Sequence, residues 1–398
     1  MKKMVTRMLG GGVLIIAGHT SWAGAWSVSS GVTTCTALGE TQTDTVILNP
    51  PAISAGVDIP VGTVIYQGRW IRGENTELVF SCKTPLLSTS LWLNVGWAMD
   101  VAPTQAANWT GSPFGKAVYE TGIPGIGVAI SRNSNSDSII TNSASYEYPK
   151  DLEVIVKGGE YTRYLQNRTL YVTLIKIGTI QPGIYSLDGT KLPTVSLSVV
   201  APLYHQQKMT GLPVKTNIVK FGGQLTISAQ TCSTRDVNVE LGNYNIQEYF
   251  TRKGDTTPWS DASIIMTGCP TYYGFYNGNN NTLMFDSSKG QGIIATSVSN
   301  SIGVRLTPTT DVIDVANGIM SIDSTIASTA SGVGIQLAWG LSSQTPTPFN
   351  FANEHTMLLP KDGSPTIRIP LSARYIQTDS DPKPGHANGK VVFTINYY

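Results

Sequence analysis

The chain has 398 residues, a formal net charge of +1 and only 13% charged side chains. A charge this small excludes nucleic acid and anionic membrane as electrostatic partners. The length is too great for one ordinary sandwich and fits two domains of moderate size. The 40 glycines and 17 tyrosines are typical of short strands joined by tight turns, and no long stretch shows helical periodicity. We therefore predict an all-β protein.

Residues 1–25 have the pattern of a secretory signal peptide. Lys2 and Lys3 precede a short apolar run, Leu9–Gly18, and Ala23-Gly24-Ala25 supplies small residues for cleavage. The apolar run is too short to span a bilayer. The pattern predicts export through the periplasm, with Trp26 as the first mature residue.

Residues 26–222 are predicted to form a first β-sandwich domain. Alternating apolar and polar runs are separated by turn-forming Gly, Pro and Asn residues. Many short strands without helices favour an antiparallel sandwich. The predicted strands are Thr45–Leu48, Val61–Tyr66, Glu77–Ser81, Leu91–Met99, Gly127–Ser131, Leu152–Val156, Leu170–Ile177 and Val195–Val200.

The strand Leu91–Met99 and the loop after it contain the candidate ligand site. The odd-numbered residues of this strand are apolar and should face the core, whereas Trp92 and Asp100 lie on the other face. The long loop 100–118 carries a further tryptophan, and aromatic rings flanked by polar groups suit sugar rings. The predicted ligand-binding residues are Trp92, Asp100, Asn108, Trp109 and Tyr119. The alternative is structural: Trp109 packs on the sandwich end and Asp100 caps a turn.

Residues 223–398 are predicted to form a second domain. Its final residues, Val391–Tyr398, alternate strictly between apolar and other residues, as in a half-buried strand. An apolar terminus of this kind indicates a specific partner or a place in a core. The earlier predicted strands of this domain are Gln224–Gln230, Val237–Gly242, Ser263–Met266, Gly332–Leu337 and Ile367–Tyr375.

Four cysteines allow three pairings, of which one keeps each bridge within a predicted domain. That pairing joins Cys35 to Cys82 and Cys232 to Cys269. Export to an oxidising compartment favours disulfides. A zinc site is the alternative, but the wide spacing and the lack of CxxC or HxxxH motifs argue against it, so no metal is predicted.

The second domain resembles the pilin domains of chaperone–usher fimbriae. The matching features, in chain order, are Cys232, Val237–Gly242, Cys269, Gly332–Leu337, Gly385 as the fourteenth residue from the end, and Tyr397 as the second. The resemblance implies an immunoglobulin-like sandwich that lacks its final strand. A periplasmic chaperone first lends a strand to the open groove, and the adjacent fimbrial subunit later replaces it. The residues that this implies for chaperone and subunit binding are Gly385, Val391, Phe393, Ile395 and Tyr397.

The first domain resembles the N-terminal binding domains of two-domain tip adhesins, most of all that of type 3 fimbriae. The likeness lies in Asp58–Ile65, in Cys35 and Cys82, and in Gly122–Val128. It implies a lectin-like domain that binds a host glycan or an extracellular-matrix protein.

Together these resemblances predict a fimbrial tip adhesin that is exported through the periplasm to the cell surface and assembled by a chaperone and an outer-membrane usher. The nine residues before Cys35 are rich in Ser, Thr and Gly and lack the alternation of a donor strand. A subunit that accepts a strand but donates none occupies the end of a fibre. The alternative is a structural or assembly-initiating tip subunit without a receptor.

Catalysis has little support. His205, His355 and His386 lie far apart, and no nucleophile elbow, phosphate-binding loop or HExxH motif occurs. A pair of converging carboxylates in a secreted carbohydrate-active enzyme is a third and weaker possibility. We predict a protein without enzymatic activity and without a cofactor.

Overall fold

The computed structural model describes residues 31–73, 78–102, 114, 117–135, 138–141, 145–146, 150–164, 168–228, 231–286 and 289–398. The predicted signal peptide, Asn108 and Trp109 lie outside these residues. Regular structure in the described part is almost entirely β, with one four-residue helix, α1 (Ile246–Tyr249). That part contains no helix with the length and apolar character needed to cross a membrane. The predicted all-β fold class is confirmed.

The eight strands predicted for the first half are all present, with shifts at their ends, and further strands that were not predicted lie before, between and after them. The predicted strand Val61–Tyr66 begins three residues late, because Gly62 adopts a φ of +98° and Thr63 closes a turn onto Pro60. The strands are β1 (Thr33–Ala37), β2 (Gln42–Leu48), β3 (Ile53–Ser54), β4 (Val64–Arg72), β5 (Leu78–Lys83), β6 (Ser88–Val101), β7 (Tyr119–Glu120), β8 (Ile126–Ser131), β9 (Ser145–Tyr146), β10 (Leu152–Lys157), β11 (Glu160–Tyr164), β12 (Arg168–Lys176), β13 (Gly183–Leu187), β14 (Thr194–Val200), β15 (Met209–Thr210) and β16 (Val214–Ser228).

Two sheets enclose the first core. One has the order β10-β6-β14-β16-β13, and the other contains β4-β12-β8-β7. The odd-numbered residues of β6 point inward as predicted, since Leu91, Leu93, Val95, Trp97 and Met99 are all buried. The strand therefore serves as a central wall of the sandwich, and its even-numbered residues are available for other contacts.

The second half is built from shorter strands. They are β17 (Ser233–Thr234), β18 (Ser260–Asp261), β19 (Ile264–Thr267), β20 (Thr282–Asp286), β21 (Gln291–Ile293), β22 (Ser301–Pro308), β23 (Val312–Asp314), β24 (Ile319–Ser321), β25 (Val333–Trp339), β26 (Thr347–Pro348), β27 (His355–Leu358), β28 (Thr366–Ile369), β29 (Leu371–Gln377) and β30 (Val391–Tyr397). Three sheets, β17-β19-β28, β18-β29-β25-β24-β23 and β27-β22-β30, surround a second core. The segment Val237–Gly242, predicted as a strand, joins no sheet.

The two halves are not separated cleanly at residue 222. β16 continues without a break to Ser228, pairing with β13 and β3 of the first half. In addition, β20 pairs in parallel with β4, and Tyr276 enters the first hydrophobic core. The division at residues 222 and 223 stays a prediction, but the first sandwich uses residues on both sides of it.

Both predicted disulfides are present in the structure. Cys35 and Cys82 face each other on the paired strands β1 and β5, and Cys232 is bonded to Cys269 at the end of β19. The described residues contain no unpaired cysteine. Each bridge therefore lies within one half of the chain.

Candidate binding sites

Along the described chain, the last strand, β30, has a strand neighbour on one edge only. That neighbour is β22. Tyr398, just beyond β30, exchanges both backbone hydrogen bonds with Ser301, at 2.8 and 3.0 Å. Successive residues of a strand direct their backbone groups to opposite edges. Because Tyr398 faces β22, the backbone groups of Tyr397 and of every second residue before Tyr397 point away from β22. These open-edge residues are Val391, Phe393, Ile395 and Tyr397.

The open-edge residues also form the apolar face of β30. The first three have half-buried side chains that pack against the second core. Val392, on the opposite face, is 50% exposed. Tyr397 is buried, and its hydroxyl accepts a hydrogen bond of 3.3 Å from the Cys232 backbone N–H. Burial raises the pKa of this hydroxyl. β30 therefore presents an apolar face and unused backbone groups together.

The segment Val237–Gly242 provides a second strip of unused backbone. It makes no backbone hydrogen bond to any residue of the described ranges. Its Val239 and Leu241 side chains are half-buried against the same core as β30. An apolar segment that is packed but unpaired is expected beside a missing strand.

Contacts at both ends place this segment alongside β30. The chain before it is tied to Tyr397 through Cys232. After it, the Tyr244 ring lies edge-on to Tyr375, whose hydroxyl donates to the Ala387 carbonyl at 3.0 Å. These contacts bring the residues before the segment near the end of β30 and the residues after it near the residues that precede β30. We use the word groove for the unpaired backbone and half-buried apolar side chains of β30 and Val237–Gly242 together, and we call these two segments its lips.

Gly385 has a role outside the groove. A Cβ atom at this position would lie 2.4 Å from the Ala330 nitrogen and 2.5 Å from the Ser328 carbonyl oxygen. The next residue, His386, exchanges backbone hydrogen bonds with the same loop. Gly385 therefore allows close backbone approach before β30, as predicted for a glycine here, but it does not line the groove.

In the first half, Trp92 lies on the outer face of β6 under an imidazole. The His205 ring stacks on it, with 3.6 Å between ring centroids and 5° between ring planes. Asp151, whose carboxylate is fully buried, holds His205 in place through Nδ1 at 2.9 Å. The same carboxylate accepts hydrogen bonds from the Leu203 and Tyr204 amides at 2.7 and 2.8 Å. One face of the Trp92 indole is therefore already occupied.

Asp100 lies at the other end of β6 and is bound to two side chains. Its carboxylate accepts from the Ser196 hydroxyl at 2.7 Å and from the Lys215 amine at 2.6 Å. The alternative in which Asp100 caps a turn concerns a loop that lies largely outside the described residues. Asp100 positions Lys215, which borders a surface cleft.

The cleft lies between the β1–β2 turn and β16 and has a volume of about 600 Å³. A glycine with φ +108°, Gly39, forms the turn, and the polar residues after it face the opening. Turn residues do not follow the alternation of apolar and polar residues that marks a strand, so this pattern did not identify the cleft. Its lining residues are Ala37, Leu38, Gly39, Glu40, Thr41, Gln42, Val79, Lys215 and Thr216.

Three of the five predicted ligand residues are described, and they lie in different parts of the first half; with Asn108 and Trp109 outside the described residues, the site stays a prediction. Trp92 and Asp100 are eight residues apart on one strand, which corresponds to roughly 25 Å at about 3.3 Å per residue. Tyr119 is only 6% exposed and packs in the first core, and burial raises the pKa of its hydroxyl. Trp92 and Asp100 are therefore parts of two separate surface regions, and Tyr119 belongs to the core.

Solved structures of fimbrial adhesins resemble the chain weakly. The CupB6 tip adhesin from Pseudomonas aeruginosa is 16% identical, with 92% of this chain and 96% of that chain covered and a TM-score of 0.31. The receptor binding domain of the adhesin MrkD1P of Klebsiella pneumoniae is 20% identical, with 50% and 98% covered and a TM-score of 0.27. At these TM-scores no argument is taken from the superpositions.

Sequence comparison assigns both halves of the chain. Residues 219–398 match the profile of the fimbrial protein family, and residues 47–194 match that of the MrkD-like receptor binding domain. A curated relative from Klebsiella pneumoniae, a fimbria adhesin protein, is 24% identical over 400 residues, with 97% of each chain covered. These are adhesive fimbrial components, which confirms the prediction of a protein without enzymatic activity. The chain therefore contains a region that matches the MrkD-like receptor binding domain, followed by a region that matches the fimbrial protein family.

Proposed function

We propose that this adhesin attaches bacteria to a host glycan or an extracellular-matrix protein through its first domain, and that a strand entering the groove of its second domain holds it at the fimbrial tip. The observation that supports the assembly half of this proposal is the groove itself. Both of its lips carry unpaired backbone and half-buried apolar side chains.

A donated strand would complete the second domain physically. Each new backbone hydrogen bond contributes about 1 kcal/mol, and covering a half-buried apolar side chain contributes a similar amount. Val391, Phe393 and Ile395 would gain both kinds of contact at once. A periplasmic chaperone would supply this strand first, and the adjacent subunit would supply it after transfer through the outer-membrane usher.

The cleft of the first domain is the proposed receptor site. Lys215 and Glu40 offer charge of both signs at its border, and Thr41 adds a hydroxyl group. Such a polar opening suits the hydroxyl groups of a sugar or the side chains of an extended protein chain. Asp100 contributes by holding Lys215 in place. The Trp92–His205 stack is the second region to test.

The test is binding of the full mature chain, in complex with its chaperone, to a panel of glycans and matrix proteins. Lys215→Ala and Asp100→Ala are compared with Lys220→Ala, an exposed lysine on the same strand, β16. We expect the first two variants to lose a ligand that wild type and Lys220→Ala retain.

A ligand retained by every variant would keep the adhesin function and move the receptor site to Trp92 and His205. Absence of any ligand on a broad panel would instead favour a structural or assembly-initiating tip subunit.

A further inference from the structure

The open edge of β30 is occupied at one point by the first domain. The Tyr397 N–H donates to the Asp58 carboxylate at 2.8 Å, and the Asp58 N–H donates to the Tyr397 carbonyl at 3.1 Å. Both backbone groups of Tyr397 are therefore used. Asp58 belongs to the loop after β3, some 340 residues earlier in the chain.

Tyr397 is the last of the open-edge residues, so Asp58 fills the final position of the row that a donated strand would use. The remaining outward positions are Val391, Phe393 and Ile395, which have no such partner in the described chain. A donated strand that pairs with Val391, then Phe393 and then Ile395 would reach Asp58 directly after Ile395.

The Asp58 loop is held firmly from the first domain. The Lys176 amine, on a residue only 5% exposed, donates to the Val57 carbonyl at 2.8 Å and to the Gly56 carbonyl at 3.4 Å. Burial lowers the pKa of this amine, and the negative charge of Asp58 opposes that shift. Asp58 is thus placed by a buried cation of its own domain.

The loop also fits closely against the end of β30. A Cβ atom on Gly56 would lie 2.2 Å from the Tyr397 carbonyl oxygen, so only glycine permits this approach. On the other side, the Asn300 amide donates to the Ser54 carbonyl at 3.0 Å and to the Tyr398 carbonyl at 3.2 Å. The contact is therefore built from several independent groups.

We propose that Asp58 is a cap on the subunit-binding edge: it occupies Tyr397, limits the pairing of the chaperone's strand to Val391, Phe393 and Ile395, and sets the register in which that strand enters. This inference rests on the proposed strand addition. A longer strand would have to displace Asp58 and thereby detach the first domain from the end of β30.

The test is amide hydrogen exchange at single-residue resolution on the full mature chain in complex with its periplasmic chaperone. Asp58→Ala removes the acceptor, Asp58→Asn retains one oxygen acceptor, and Asp188→Ala removes an exposed turn carboxylate elsewhere in the first domain. We expect Asp58→Ala to speed exchange at Tyr397 at least tenfold. The rates at Phe393 and Ile395 should change less than twofold.

Asp58→Asn should stay within about threefold of wild type at Tyr397, and Asp188→Ala should be unchanged. Wild-type protection of Tyr397 both in Asp58→Ala alone and in its chaperone complex would overturn the cap, because the Tyr397 amide would then not depend on the carboxylate, while strand addition would stand. Free exchange at Val391, Phe393 and Ile395 in every complex would refute strand addition itself and remove the cap's function with it.

Discussion

The two halves of the chain bury their apolar side chains to different degrees. Among the described residues, eleven of the twelve largest fully buried side chains lie in the first half, and Phe349 lies in the second. The second core instead relies on side chains that remain half-buried, among them Phe393 and Ile395 of β30. The first core is closed by residues of the first half together with Tyr276 from the second, whereas the second core keeps half-buried apolar side chains along β30.

This difference shows how one chain can combine a stable display domain with a domain that depends on a partner. An open sheet edge invites unwanted pairing, so it is kept only where pairing is used. The first domain contacts that edge at Tyr397, through Asp58. Fully buried side chains are therefore concentrated in the half that matches a receptor binding domain, and the open strand edge lies in the other half.

The largest expected effect comes from making the groove polar. Phe393→Ser together with Tyr397→Ser removes two apolar anchors, each contributing about 2 kcal/mol on burial, and should reduce recovery of the chaperone complex at least tenfold. The measurement is co-purification of the chain with its chaperone. Val392→Ser, on the exposed face of the same strand, should leave recovery unchanged. Full recovery of the double variant would contradict an essential groove.

The next effect distinguishes the two halves by their disulfides. Replacing either pair, Cys35 with Cys82 or Cys232 with Cys269, opens a loop whose closure is worth about 4 kcal/mol in the chain-entropy model. In thermal unfolding of the chaperone complex, the half that contained the bridge should unfold at a lower temperature than it does in wild type. Equal destabilisation of both halves by either pair would mean that they unfold as one unit.

A smaller loss is expected from the buried carboxylate of the first half. Burial alone would raise the pKa of Asp151, but hydrogen bonds from the Leu203 and Tyr204 amides and from His205 hold it well below its ordinary value. Asp151→Asn should lower the free energy of unfolding by about 2–3 kcal/mol at pH 7, because the amide cannot accept all these bonds.

The pH dependence of this loss has a defined sign. The folded-state pKa of Asp151 is depressed, so its stabilisation is fully present above the unfolded-state pKa of about 4 and fades as the pH falls below that value. Chemical denaturation of wild type and Asp151→Asn should therefore converge at acidic pH. A difference that stays constant from pH 7 to pH 3 would exclude the carboxylate as its source.

The smallest effect is expected at Asp100. Its ion pair with Lys215 is partly exposed, with 24% and 42% of the two side chains accessible. Asp100→Ala should change the free energy of unfolding by less than about 1 kcal/mol. A loss of ligand without a loss of stability would separate recognition from folding in the first domain. Destabilisation above 2 kcal/mol would instead make Asp100 a structural residue.

Local patterns were sufficient for much of the fold. The alternation in Leu91–Met99 predicted which side chains face the core, and the alternation in Val391–Tyr397 predicted an apolar strand face. The likeness to pilin domains and tip adhesins is confirmed by the two family matches. These predictions succeeded because strand periodicity, turn residues and motif order are properties of neighbouring residues.

Local patterns did not predict the surroundings of the candidate ligand residues. Trp92 and Asp100 share a strand face, but the pattern does not show that an imidazole covers the first or that Lys215 binds the second. Tyr119 was predicted to bind a ligand at the surface, but its side chain lies in the core. Side-chain type alone does not distinguish an exposed ring from a buried one.

The sequence by itself determined the fold class, the core-facing side chains of Leu91–Met99 and the apolar face of the last strand. Only the tertiary structure decided that β16 runs through the predicted boundary, that β20 pairs with β4 of the first sandwich and that Asp58 binds the end of β30. Each of these contacts joins residues that are distant in the chain or crosses a predicted limit. They depend on how completed sheets approach each other, and a periodic pattern within one strand contains no record of that approach.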